Sequence, residues 1–209
     1  MNGVMLSSTY FGPIQWYEKL NRADVCFLES HDHYIKQTYR NRCRIAMTQG
    51  VQTLSVPIEQ YNGLKCPMKD IRISDHGNWR HVHWNALQSA YGESPFFEYY
   101  ADDLLPFFTK KWTYLFDFNL AITIKMCELL DIQPTIKQTT SYVSAENLTL
   151  LMPNLLDMRD AIHPKHPMTD KQFMPRKYYQ VYQDKHGFLP NLSILDLLMN
   201  LGNEAVLYL

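Results

Sequence analysis

Two short apolar runs near the N-terminus, Val4-Met5-Leu6-Ser7-Ser8 and Val25-Cys26-Phe27-Leu28-Glu29, constrain this chain most. Between them lie the loop Thr9-Tyr10-Phe11-Gly12 and a short helix reaching about Asn21. Pro13 opens that helix, because its fixed φ suits a first helical turn. Strand, loop, helix and strand in this order form a βαβ unit with a parallel pair. The segment from Tyr10 to Tyr17 then sits at the carboxyl end of the first strand, where open α/β sheets bind ligands.

The rest of the chain reads as follows. Arg42–Thr48 and Gln52–Ile58 flank Gln49-Gly50-Val51 as a hairpin, and Ile71–Ile73 forms a further short strand. Trp79, Val82, Ala86, Leu87 and Ala90 recur at helical spacing up to Gly92, and Ser94-Pro95 opens the next helix. Trp112–Leu130 is the longest helical pattern, with Leu115, Ile122, Met126 and Leu129 as its buried stripe. Thr135–Thr139 has strand alternation, Ser144 caps a short helix, and the proline-punctuated Met158–Arg176 is loop. Tyr178–Tyr182 reads as a strand. Ser193-Ile194-Leu195-Asp196 matches a capping box whose helix Gly202 ends, and Ala205–Leu209 reads as a terminal strand. No repeat, linker or low-complexity tract interrupts residues 1–209, which form a single domain. The expected fold is α/β: a mixed sheet with an N-terminal βαβ unit, covered by the helices of residues 79–130. The alternative is α+β, with segregated helices.

The stretch from Tyr34 to Ile45 concentrates Lys36, Arg40, Arg42 and Arg44 together with tyrosines, hydroxyls and the Asn41 amide. From Cys43 the residues alternate: Cys43, Ile45 and Met47 on one face, Arg42, Arg44 and Thr48 on the other. Guanidiniums on one side of a strand, with Arg40 beside them, can grip a phosphate or carboxylate in bidentate fashion. The plainer alternative is a solvated edge strand whose basic residues discourage edge pairing. Glu29, His31 and His33 share a face if the second strand continues, and could hold zinc or iron. Spacing supplies no third histidine, so a polar strand end is the simpler reading and no metal is assigned. His83 lies near the apolar stripe as a satisfied core histidine, whereas His81 shares the other side with Trp84 and could face a cleft. His163-Pro164-Lys165-His166-Pro167 either presents Lys165 to an anion or is a stiff surface connection. His186 is a candidate acid or base, with an unperturbed pKa near neutrality. Asp196, at the third helical position, most simply satisfies backbone donors.

Composition excludes several classes. A formal net charge of −1 gives no drive toward nucleic acid or membrane. The four cysteines have no C-x-x-C spacing, and Cys26 and Cys43 read as reduced core residues. The N-terminus has no signal-peptide pattern and no 18-residue apolar run occurs, so a cytoplasmic protein is expected. G-x-S-x-G, Walker and G-x-G-x-x-G patterns do not occur.

Several motifs together resemble the WbqC-like family, named for a protein of bacterial O-antigen clusters. They are Tyr10-x-x-Pro13 with Tyr17, Lys36-Gln37-x-x-Arg40-Asn41-Arg42-x-Arg44-Ile45 and Leu54-Ser55-Val56-Pro57. Further on come Trp79 and Trp84 around His81, Ala90-Tyr91-Gly92-x-x-Pro95-Phe96-Phe97, Ile162-His163-Pro164-Lys165, Tyr179-Gln180-Val181-Tyr182 and the segment Gly187–Gly202. Two departures stand out. Many relatives carry Gln-Pro where this chain has Ser7-Ser8, and longer relatives carry an extra segment ahead of the C-terminal motif.

The resemblance implies a role in surface-polysaccharide assembly, as a transferase adding an acyl or aminoacyl group to a nucleotide- or lipid-linked amino sugar. A non-catalytic ligand-binding or scaffold protein of the same pathway is the alternative, and a nucleotidyl-transfer enzyme the weaker one. The expected partner is an anionic small molecule, a nucleotide sugar or activated acyl donor; cofactor and oligomeric state stay open. The ligand-binding set is Tyr10, Tyr17, Lys36, Arg40, Asn41, Arg42, Arg44, Trp84, Lys165, Tyr179, Gln180 and Asn191. The catalytic set is His81, His186 and Asp196.

Overall fold

The computed structural model describes residues 3–151 and 154–209. Strand β1 (Gly3–Ser7) is buried along its whole length, as befits a central parallel strand covered on both faces. Helix α1 (Ile14–Arg22) carries the chain to β2 (Cys26–Glu29), which pairs with β1 in parallel, Leu6 opposite Leu28. The βαβ unit is therefore present. A hairpin follows, β3 (Arg42–Met47) and β4 (Gly50–Ser55), turning one residue earlier than its sequence suggests. Helices α2 (Trp79–Tyr91), α3 (Phe97–Leu104), α4 (Pro106–Thr109) and α5 (Leu115–Leu129) form the cover. The chain continues through β5 (Ile136–Gln138), α6 (Ala145–Leu151), β6 (Leu155–Asp157), α7 (Gln183–His186) and α8 (Ile194–Leu201).

The larger sheet has the order β5-β2-β1-β6 with every pair parallel, and the hairpin is a separate antiparallel sheet. Parallel and antiparallel pairing thus coexist in an α/β architecture, with the antiparallel part gathered in the hairpin.

Pro13 offers no capping side chain to α1. The C-terminal segment supplies what is missing: Ile14 N donates to Leu192 O at 3.0 Å and Gln15 N to Asn191 Oδ1 at 3.0 Å, satisfying donors that a helix start leaves unpaired. Asn191 adopts a left-handed φ of 53° to do so, a conformation its short polar side chain tolerates. Tyr10 and Phe11, leaving β1, insert beneath the helical cover. Tyr10 stacks on Phe118 and Phe11 on Phe108, with ring centroids 5.8 and 6.1 Å apart. On the other flank α5 places Cys127 near Cys26 and Tyr17. The buried cysteines are free thiols, and burial pushes Cys127 up to about 12.

Three local expectations are corrected, and one strand was not foreseen. Ile71–Ile73 makes only isolated bridges, Ile73 to Ile58 and Arg72 to Tyr114. Tyr178–Tyr182 alternates like a strand but forms no ladder, because the Gln180 amide replaces a strand partner. It donates to Leu189 O at 3.0 Å and accepts from Leu189 N at 2.9 Å. Ala205–Leu209 is no strand: Ala205 to Tyr208 belong to a 3₁₀ segment, Gly202–Tyr208, that Leu209 caps. Strand β6 follows no sequence signal, since three residues are too few to show a period.

His83 is a core histidine as expected, its Nδ1 2.9 Å from the Tyr10 hydroxyl. Burial pushes its pKa down to about 4, against a Ser55 backbone contact that favours the charged ring. The unfolded chain takes up this proton near pH 6.5, the folded chain only near 4. Stability is therefore complete above pH 6.5 and falls as pH drops through that window, by on the order of 2–3 kcal/mol. Urea midpoints measured from neutral pH downward should show this decline, and His83→Phe should flatten it.

Candidate functional site

Because the four strands run the same way, their carboxyl ends meet at one edge of the sheet. Ser7, Ser8 and Thr9 leave β1 there, Glu29 to Asp32 leave β2, Thr139 leaves β5, and Asp157 to Arg159 leave β6. A narrow cleft with about 10 Å³ of free space inside it opens among Ser7, Ser8, Thr9, Tyr39, Arg40, Arg159 and His163.

Glu29 anchors this edge. It is fully buried, and both carboxylate oxygens are occupied. Oε1 accepts from His31 N at 2.9 Å and Thr139 Oγ1 at 2.7 Å; Oε2 accepts from Val143 N at 3.2 Å and Arg159 Nη1 at 3.3 Å. The same arginine forks onto Asp157, Nε to Oδ1 at 2.9 Å and Nη2 to Oδ2 at 2.6 Å, and donates to Val143 O at 2.7 Å. Arg159 is committed to the protein.

Arg40 is not. Its Nη2 donates to Ser7 Oγ at 2.8 Å and to Asp32 in a close ion pair, but its Nε is buried with no partner. Thr9 Oγ1 and Asp32 Oδ1 are likewise buried and unpartnered. Burial outweighs Arg40 and holds the Asp32 carboxyl above its usual range. An unmet buried polar atom costs about 1–3 kcal/mol, more when charged, so these three atoms favour a polar partner such as water or an anion's oxygen. Toward solvent, Lys165 Nζ contacts Gln37 Oε1, and Gln37 takes a left-handed φ of 64°. His163 Nδ1 accepts from Lys165 N and His166 N at 3.0 and 3.1 Å. Its neutral ring therefore carries hydrogen on Nε2. Burial, His166 and Arg40 all lower its pKa.

Arg40 lines the cleft, whereas Lys165 lies outside its lining, exposed beside His163, and Lys36 is exposed one residue from Gln37. Arg42 and Arg44 are half-buried on β3; Arg44 stands beside the hydroxyl of Tyr39, which lines the cleft. Asn41 donates to Val56 O at 2.8 Å. Tyr10 and Tyr17 are fully buried, and Tyr17 faces Thr123. Trp84 and His81 line a different groove, between α2 and α4. His186 Nε2 holds the hairpin turn, within 3.2 Å of Met47 O and Thr48 O. Tyr179 is exposed, Gln180 is buried against Leu189, and Asn191 is engaged with Gln15.

Asp196 departs from its expected backbone-capping role. Ser193 Oγ accepts from Leu195 N as a cap should, but the Asp196 carboxylate turns inward. It accepts from Tyr178 OH at 2.7 Å and Gln180 Nε2 at 2.8 Å, and burial raises its pKa. Among the described residues no group of three or more His, Cys, Asp and Glu could hold a metal ion. Glu29 spends its oxygens within the protein, and His31 turns its Nδ1 toward Ser30 Oγ at 3.0 Å.

Sequence reasoning did not single out His163, Asp32, Thr9 or Arg159. Only the basic, proline-bounded run at His163–Pro167 carried a signal.

Replacing Arg159 by Met leaves Glu29 buried without its cation. Loss of one member of such a pair costs about 3–5 kcal/mol, and a urea denaturation curve should show it.

The WbqC-like protein family model matches residues 7–169. The chain is 26% identical to the "Uncharacterized protein Rv1507c" of Mycobacterium tuberculosis, over 99% of this chain and 96% of that protein. No solved structure matches the chain. Among the described residues no helix is long and apolar enough to cross a membrane. The match runs from the end of β1 past the His163–Lys165 loop and so encloses the whole carboxyl-edge cleft: the chain belongs to the WbqC-like protein family.

Proposed function

We propose that the protein is a transferase of bacterial surface-polysaccharide assembly that holds an anionic activated donor, a nucleotide sugar or acyl compound, at the carboxyl edge of its sheet. The group moved is acyl or aminoacyl, and the acceptor is a nucleotide- or lipid-linked amino sugar. The observation that carries this reading is Arg40. It is a buried cation with an unused N–H, placed where open α/β sheets take their ligands.

The chemistry follows from the surroundings. Arg40 takes a phosphate or carboxylate oxygen, as guanidiniums do. Lys165 and Lys36 draw the anion in, and Arg42 and Arg44 flank the approach. His163, its pKa lowered, offers the Nε2–H of a neutral ring as a hydrogen bond to a bound oxygen, with no proton transferred. A specific observation also favours the non-catalytic alternative. Among the described residues His81, His186 and Asp196 share no hydrogen-bond partner, and Asp196 is sealed at 1% exposure.

Thermal-shift titrations with nucleotide sugars and acyl-coenzyme A compounds test the reading. At least one should stabilise the protein, and Lys165→Ala should weaken it about tenfold without loss of fold. Stabilisation with turnover of the compound supports the transferase, and stabilisation alone supports the binding module. A panel in which nothing binds overturns both.

A further inference from the structure

The groove that holds His81 and Trp84 has a chemistry of its own. It is lined by Asp75, Asn78, Arg80, His81 and Trp84 on one side and by Leu105, Phe108, Thr109 and Lys111 on the other, around about 400 Å³. It shares no lining residue with the carboxyl-edge cleft. Its volume falls in the range that takes a small organic ligand.

The charges in it are unevenly matched. Asp75 receives both cations, Arg80 Nη1 on Oδ1 and Lys111 Nζ on Oδ2, each at 2.7 Å. That leaves the groove with one positive charge in excess. Arg80 lies over the Trp79 ring, 4.7 Å from its centroid. Its Nε and Nη2 are shielded from solvent and have no partner. These two nitrogens form the side-on edge of the guanidinium, the fork that matches two oxygens of a phosphate or carboxylate. Leaving both unmet is costly for a charged group. Between the two sides Trp84 and Phe108 pack with ring centroids 5.5 Å apart and form an apolar surface for a ring.

We infer that the α2–α4 groove is a second anion site, binding a phosphate group joined to a ring, with Arg80 forking the phosphate and Trp84 packing on the ring. A nucleotide and a sugar phosphate both have this chemistry. The inference stands whether or not the carboxyl edge binds a donor.

The test is tryptophan-fluorescence titration with uridine diphosphate, glucose 1-phosphate and inorganic phosphate, on wild type, Arg80→Ala, Trp84→Phe and Lys165→Ala. A ring-bearing phosphate should alter the fluorescence, and Trp84→Phe should remove most of the change. Arg80→Ala should weaken binding about tenfold, while Lys165→Ala leaves this site's affinity unchanged. Preference for uridine diphosphate identifies a nucleotide as the source, and preference for glucose 1-phosphate a sugar phosphate. Arg80→Lys keeps the charge without the fork and should show the same loss if Arg80→Ala fails to fold. The inference is overturned if no probe binds, if inorganic phosphate binds as well as the ring compounds, or if loss of the Arg80 fork changes nothing. A loss produced by Lys165→Ala instead would assign the signal to the carboxyl edge.

Discussion

The rest of this structure depends on one buried carboxylate. Glu29 sits at the end of β2 with no exposure and accepts from groups after β2, β5 and β6 at once. Removing a carboxylate from water costs several kcal/mol unless hydrogen bonds and a cation replace the lost hydration. Here both oxygens are fully engaged, so the charge becomes a tie rather than a penalty. It holds the strand ends in line and fixes Arg159 between Glu29 and Asp157. With Arg159 spent in this way, Arg40 is the cation at the edge that keeps an unused donor, and Asp32 is only a partial match for it.

The chain leaving the carboxyl end of β1 is braced by the C-terminal segment. Ser193 N donates to Arg44 O at 2.8 Å and Ser193 Oγ to Phe11 O at 2.8 Å. Asn191 meanwhile serves the first turn of α1. One short loop thus joins the hairpin, the exit from β1 and the start of α1. Backbone donors that Pro13 leaves unmet are satisfied from a part of the sequence that is remote along the chain but adjacent in space. The loop that shapes the cleft is positioned from behind by this contact, and from the side by Tyr10 and Phe11 beneath the helices.

The βαβ unit, the hairpin and the long helices were legible because each repeats its pattern long enough to show a period. β6 was not, and Tyr178–Tyr182 misled because alternation cannot reveal that a side-chain amide occupies the place of a neighbouring strand. Of the basic stretch at 36–44, only Thr38, Tyr39 and Arg40 line the cleft, and Lys36, Arg42 and Arg44 do not. What could not be read is which arginine lacks a partner. Arg159 lies 130 residues from Glu29 and Thr139 lies 110 from it, and only the fold shows that these groups exhaust one another. His163 was hidden for a related reason. Two backbone amides fix its tautomer, and a one-dimensional pattern does not carry that.

In the proposed function an anionic ligand sits at the carboxyl edge, against Arg40. Hydrogen–deuterium exchange with and without a saturating nucleotide sugar tests it most directly. The account predicts slowed exchange over residues 7–12, 36–41 and 158–166, the segments that converge on the cleft. Slowed exchange confined to other parts of the chain, with these three segments unchanged, would contradict it.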